Sequence, residues 1–257
     1  MRSILFSALL LASAPVFADN PSQQDDAEQQ AKQHDASNAA ESGNFLPFSA
    51  SPSTSSSYAT MTGGYDSAHG GALVITNLQA RLHKRFYLQV SGTYQGPSDN
   101  TLEPSVLGQL IVLDEKTQGL DLAIIGGWEH QGFNQEPDVL GRLAIGKHVG
   151  GAYLIGTTAM GFAYGDNERY GELTLGGLGE VAQHLYAGVD ARGRMDLQHD
   201  TDPSTEEAWT MQAGPAATYV AGPVGITAVA GVSALRMHQQ ADDKVGALTM
   251  LGVGAVF

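Results

Sequence analysis

The sequence predicts an all-β fold: a closed, up-and-down antiparallel barrel of about twelve strands that crosses a lipid bilayer, with ten strands as the alternative. Three observations predict it. From Tyr58 onward, segments of alternating character recur, most of them long enough for a tilted strand to cross a bilayer. The connectors between them alternate between tight and long. The stretch Leu248–Phe257 reads as a strand with two distinct faces. One face carries Phe257, Ala255, Val253, Leu251 and Thr249; the other carries Val256, Gly254, Gly252, Met250 and Leu248.

The chain opens Met1-Arg2-Ser3, followed by a nearly unbroken apolar run from Ile4 to Ala14 and then Pro15-Val16-Phe17-Ala18. This is the charged start, apolar core and small-residue end of a secretory signal peptide, 1–18, cut near Ala18. The apolar core is shorter than the roughly twenty residues a spanning helix needs. No later run reaches that length, and in lipid only helices and closed barrels satisfy every backbone group.

Residues 19–57 form a low-complexity polar segment. Asp19 to Asn44 is rich in Gln, Asp, Ala and Ser; Phe45-Leu46-Pro47-Phe48 is its first apolar cluster; a Ser/Pro/Thr run follows to Ser57. A stretch that is polar all round is disordered more often than helical. It reads as a solvated periplasmic leader, with a plug folded back into the lumen as the other reading.

Residues 58–257 form the barrel. The predicted strands are 58–66, 71–81, 85–95, 103–113, 119–130, 138–148, 151–163, 170–182, 184–196, 207–221, 223–237 and 244–257. Tight connectors follow even-numbered strands, at Leu82-His83-Lys84, Val149-Gly150, Gln183 and Gly222. The connector at Asp114 to Gln118 is slightly longer than this pattern asks. Long polar connectors follow odd-numbered strands, at Gly96–Leu102, Gln131–Pro137, Tyr164–Arg169, Leu197–Glu206 and His238–Asp243. Tight turns at one rim and long loops at the other are what an up-and-down barrel requires. Pro215 inside the tenth strand removes a ladder donor and predicts a bulge.

Several strands sort by face. In the third, Phe86, Leu88, Val90, Gly92 and Tyr94 oppose Tyr87, Gln89, Ser91, Thr93 and Gln95. In the tenth, Trp209 and Tyr219 stand at the two ends of one apolar face; in the fifth, Trp128 ends another. Phe86, Tyr94, Trp128, Trp209 and Tyr219 are therefore expected in two membrane-interface girdles. The expected inward set includes Asn77, Gln79 and His148. Its charged members are the lumen or constriction candidates: Arg81, Asp121, Glu129, Arg142, Glu172, Glu180, Asp190, Arg192, Arg194 and Asp196. The ninth strand places Asp190, Arg192, Arg194 and Asp196 on one face. They cannot point at lipid, where a mid-bilayer Arg or Lys costs roughly 2–4 kcal/mol. Two readings stand: paired charges that fill and rigidify the interior, or a charged constriction that selects solutes.

The expected outer loops carry Asp99, Glu103, Glu136, Asp138, Asp166, Glu168, Asp200, Asp202, Glu206, Glu207, Asp242 and Asp243 against Arg169 and Lys244. Such a rim is solvated, or bridged by divalent cations to anionic lipopolysaccharide. The net charge of −14 argues against nucleic acid. The chain has no cysteine, hence no disulfide or thiolate metal site. Its eight histidines are scattered, with no His-Glu-x-x-His and no Gly-x-Ser-x-Gly, so neither zinc nor serine hydrolysis is supported, and no catalytic residue, metal or cofactor is assigned.

The signal peptide, the C-terminal strand ending on Phe257, the aromatic girdles and the loop parity resemble the Gram-negative outer-membrane β-barrel superfamily, over residues 58–257. That resemblance implies an outer-membrane location after cleavage. It also implies contact with lipid and lipopolysaccharide, and assembly by the barrel-assembly machinery reading Phe257 as its signal. The expected function is a narrow porin-like channel for small polar solutes, not an enzyme. The alternative is a structural or adhesive barrel with an occluded lumen and acidic surface loops.

Overall fold

A computed structural model of the chain describes residues 43–49, 51–52, 56–96, 101–130, 137–163, 169–198, 207–237 and 242–257. The expected signal peptide lies outside the described residues, as do most of 19–57 and the loop acids Asp99, Glu136, Asp166, Glu168, Asp200, Asp202 and Glu206.

Twelve antiparallel strands close into one barrel, each paired with its sequence neighbours and β1 with β12. They are β1 Tyr58–Asp66, β2 Gly71–His83, β3 Phe86–Gln95, β4 Thr101–Leu113, β5 Asp121–His130 and β6 Pro137–Val149. Then follow β7 Ala152–Ala163, β8 Arg169–Ala182, β9 Leu185–Gln198, β10 Glu207–Ala221, β11 Val224–Met237 and β12 Lys244–Val256. Closure runs through the two ends of the sequence: Tyr58 pairs with Val256 and Asp66 with Leu248. No strand is left with an unpaired edge, the condition for a sheet in hydrocarbon.

The two-residue turns all lie at one end; the four-residue β1–β2 turn, with Gly70 at φ 74°, lies at the other. Gly150 and Gly222 adopt left-handed φ values of 64° and 59°; His184 takes φ 63° at the same place in the β8–β9 turn. The longer connector at Asp114 is a one-turn helix, α1 (Glu115–Gln118), N-capped by Asp114 and closed by Gly119 at φ 79°. Its extra length has a reason. Glu115 lies against the barrel end and accepts the His148 backbone N–H at 2.7 Å. Register shifts fall at rim positions such as Arg81/His83, Ile111/Leu113 and Glu180/Ala182, where bulges re-aim the chain.

The bulge expected at Pro215 does not form. Pairing of β10 with β11 stops after Ala213↔Val232 and resumes at Ala216↔Val229 in the same register, and pairing with β9 is unbroken. The ladder on both sides holds the register, so the proline costs a local bond and not a residue offset. Beside it, a Cβ on Gly231 would lie 2.0 Å from the Ala213 carbonyl oxygen, so this crossing needs glycine.

The outer wall is apolar: Leu78, Val106, Ile124, Leu175, Ile226 and Val253 are exposed on it. Aromatics stand at both ends of this band. Phe86, Tyr219 and Phe257 are exposed toward the tight-turn end, and Trp128 toward the long-loop end. Tyr94 and Trp209 are half-buried at the long-loop end, where Tyr65 and Phe162, absent from the expected girdle, join them.

Candidate functional site

The lumen is the site, and it has two tiers. The tier toward the tight turns is filled by the chain itself. Residues 43–49 and 51–52 lie inside the barrel, with Phe45, Leu46, Ser49 and Ser51 buried. The composition of this segment suggests a solvated leader, with a plug as the other reading; its described part lies inside the tight-turn end of the barrel. Four features seat it. Phe45 sits in a niche cleared by Gly225 and Gly254, where a Cβ would come within 2.8 Å and 2.7 Å of its ring. Leu46 joins an apolar cluster with Leu73, Ile155, Leu178, Tyr186 and Met250. At the deepest point Asp190 accepts the Phe48 backbone N–H at 2.8 Å and the Ser49 hydroxyl at 2.6 Å. On the way out, the Pro52 carbonyl accepts from Gln109 Nε2 at 2.9 Å.

The tier toward the long loops is charged. Arg192 donates through Nε (2.9 Å) and Nη2 (2.7 Å) to one oxygen of Glu172. Arg142 Nη2 lies 3.7 Å from the other oxygen. Arg194 lies 3.9 Å from Glu103 Oε1, and its guanidinium carbon stands 3.9 Å from the Tyr170 ring centroid. Tyr170 in turn donates a short hydrogen bond to Glu129. The strands assemble this group because inward positions on β4, β5, β6, β8 and β9 reach one level. Arg142 pairs with Ala159, Ala159 with Glu172, and Glu172 with Arg194.

The expected lumen residues thus divide. Glu129, Arg142, Glu172, Arg192 and Arg194 meet in the charged tier, and Asp190 holds the loop below it. Asp121 is inward but belongs to the tight-turn end, where it accepts from Tyr153 Oη and from the Glu115 backbone N–H, both at 2.8 Å. His148 is there too, its Nδ1 2.6 Å from Glu115 Oε2. Arg81 and Glu180 are exposed at that rim and line no constriction. Asp196 is half-buried near the other mouth. Glu103, expected among the outer-loop acids at the first position of the predicted strand, is the third residue of β4 and reaches inward to Arg194.

The sequence reading missed one knot altogether. Buried Asp66, at the end of β1, accepts from the Ala68 backbone N–H (3.0 Å), Gln212 Nε2 (2.7 Å) and the Ser233 hydroxyl (2.9 Å), with His69 Nδ1 at 2.8 Å. It ties the β1–β2 corner to β10 and β11. The Ser233 hydroxyl donates to Asp66; in a nucleophilic relay a serine donates to the histidine instead. The inward parity of Asp66 on a predicted strand was the available signal. Tyr153 and Tyr170 were missed as well, because an aromatic in a membrane strand is first read as a girdle residue.

No family model matches the chain, and no curated protein matches it by sequence. Solved structures do. The NanC porin aligns with a TM-score of 0.57 at 8% identity, over 77% of this chain and 98% of that one. An outer membrane channel from Pseudomonas putida F1 aligns at 0.54 and 11% identity, over 82% and 98%. The KdgM porin aligns at 0.51 and 7% identity, over 78% and 99%. This chain has the outer-membrane β-barrel fold. At these identities the likeness carries the fold alone. In outer-membrane barrels the tight turns face the periplasm and the long loops face outward. Residues 43–49 and 51–52 occupy the tight-turn half of the lumen, and the Arg–Glu tier occupies the long-loop half.

Proposed function

We propose that the protein is a narrow outer-membrane channel for small polar solutes, exported by cleavage near Ala18 and closed in this conformation by residues 43–52. The observation that carries the reading is the charged tier. Three arginines and three glutamates inside a barrel are costly unless each is paired or met by water or a polar solute, and Arg142 and Arg194 are paired only at 3.7 Å and 3.9 Å. The three channel-type neighbours support the same reading at the level of fold. The closing loop is tethered at its C-terminal end to β1 and contributes no strand to the wall, so its departure leaves the ladder intact. No catalytic step belongs to this reading.

The test is conductance in planar bilayers. The full chain is expected to open rarely, and a variant lacking 43–52 to give stable open steps whose size changes on Arg192→Ala. A second reading, a structural barrel with a filled lumen, is favoured by the apolar cluster that joins Leu46 to the wall. Folded protein lacking 43–52 that conducts no current would establish that reading and dismiss the channel.

A further inference from the structure

We propose that Arg142 and Arg194 form a binding site, in the outer half of the lumen, for a solute that carries a carboxylate or a phosphate. The inference deepens the channel reading by naming a class of solute, and it rests on that reading for the solute's route.

The argument starts from hydrogen bonds, not from net charge. Arginine is a planar fork of five N–H donors that suits an oxyanion bidentately. Arg192 uses its fork this way, on one oxygen of Glu172. Arg142 and Arg194 do not. Among the described residues neither makes a hydrogen bond; each has only a distant carboxylate, at 3.7 Å and 3.9 Å. Arg142 Nε is shut off from solvent with no partner. A buried charged donor left unpaired is costly, and such a group calls for an explanation.

The surroundings hold these two forks apart and in place. They sit on one cross-strand row, Arg142–Ala159–Glu172–Arg194, with the small Ala159 between β6 and β8. Glu172 cannot close onto Arg142, because Arg192 holds it from the neighbouring level. Arg194 is braced flat on Tyr170. Tyr170 itself is locked, its hydroxyl on Glu129 and its ring over Gly161, where a Cβ would lie 2.0 Å from the ring. Two positioned guanidinium groups with unused donors beside a small residue make a receptor for an oxyanion.

Calorimetric titration of the folded full chain in detergent tests this, with inorganic phosphate and acetate as separate probes. Saturable binding of at least one is expected. Arg142→Gln should weaken it about tenfold or more. Arg142→Lys, which keeps charge without the fork, should weaken it less. Arg236→Gln should leave it unchanged, since Arg236 already donates to Asp243 at the outer rim. If Arg142→Gln gives no folded barrel, Arg194→Gln carries the same test. No saturable binding of either probe overturns the site, as does equal loss in Arg236→Gln or unaltered binding in Arg142→Gln. Conductance is read separately. Conduction without binding removes the anion site and leaves the channel; binding without conduction does the reverse.

Discussion

At the scale of single residues, the lumen is decided by a few carboxyl groups and glycines. Asp190 is the polar anchor of the closing loop. Removing its two acceptor bonds, each worth roughly 0.5–1.5 kcal/mol net, should lower the seated fraction of the loop by about tenfold. Asp190→Ala is therefore expected to raise open probability in planar bilayers, with single-channel current unchanged. Gly254 acts through space. Valine there would meet the Phe45 ring, so Gly254→Val is expected to open the channel in the same assay while the barrel stays folded. An unchanged open probability in both variants would mean that the loop is not the closure. His184 offers a stability test. A side chain in the left-handed region costs roughly 1–2 kcal/mol, so His184→Gly should slow unfolding of the barrel in urea, with conductance unaffected.

Among elements, β12 bears the most. It seals the barrel against β1 and turns Gly252 and Gly254 inward, and Phe257 extends the pairing through reciprocal backbone bonds with Ser57. Phe257→Ser is expected to cut the yield of folded barrel in cells, seen as loss of the fast-migrating species on an unboiled gel. Purified variant refolded in detergent should regain that species if the aromatic is read during assembly; failure to refold would place its role in packing instead. The closing loop is an element of a different kind. It has almost no regular structure, and its order comes from the walls around it.

For the whole molecule, the medium dictates the design. Apolar side chains cover the outside and polar ones are turned in, the reverse of a soluble protein. The lumen is then the one place where charge can be stored, and Arg142, Glu172, Arg192 and Arg194 take it. A closed ladder also makes the barrel unfold as a unit. The purified protein is expected to resist sodium dodecyl sulfate until boiled, and intact mass should place the mature N-terminus at Asp19. A start elsewhere would revise the processing site without touching the fold.

The strands were legible because their period is local. Alternation in Phe86–Gln95 or Leu248–Phe257 is set by which face meets hydrocarbon, and that can be read without any partner. The tight-turn and long-loop parity was legible for the same reason, since it depends only on connectivity. Glu103 shows the limit: at the first position of a predicted strand it read as a rim residue, and the observed start at Thr101 carries it into the lumen. What the sequence by itself determined is the barrel, its register of inward and outward faces, and the inward placement of the ninth strand's charges. Only the tertiary structure decided that Phe45 enters a niche left by Gly225 and Gly254, that Asp66 knots three strands, and that Arg142 stands beside Glu172. Those contacts join residues far apart in the chain, and their geometry comes into being only when the sheet closes on itself.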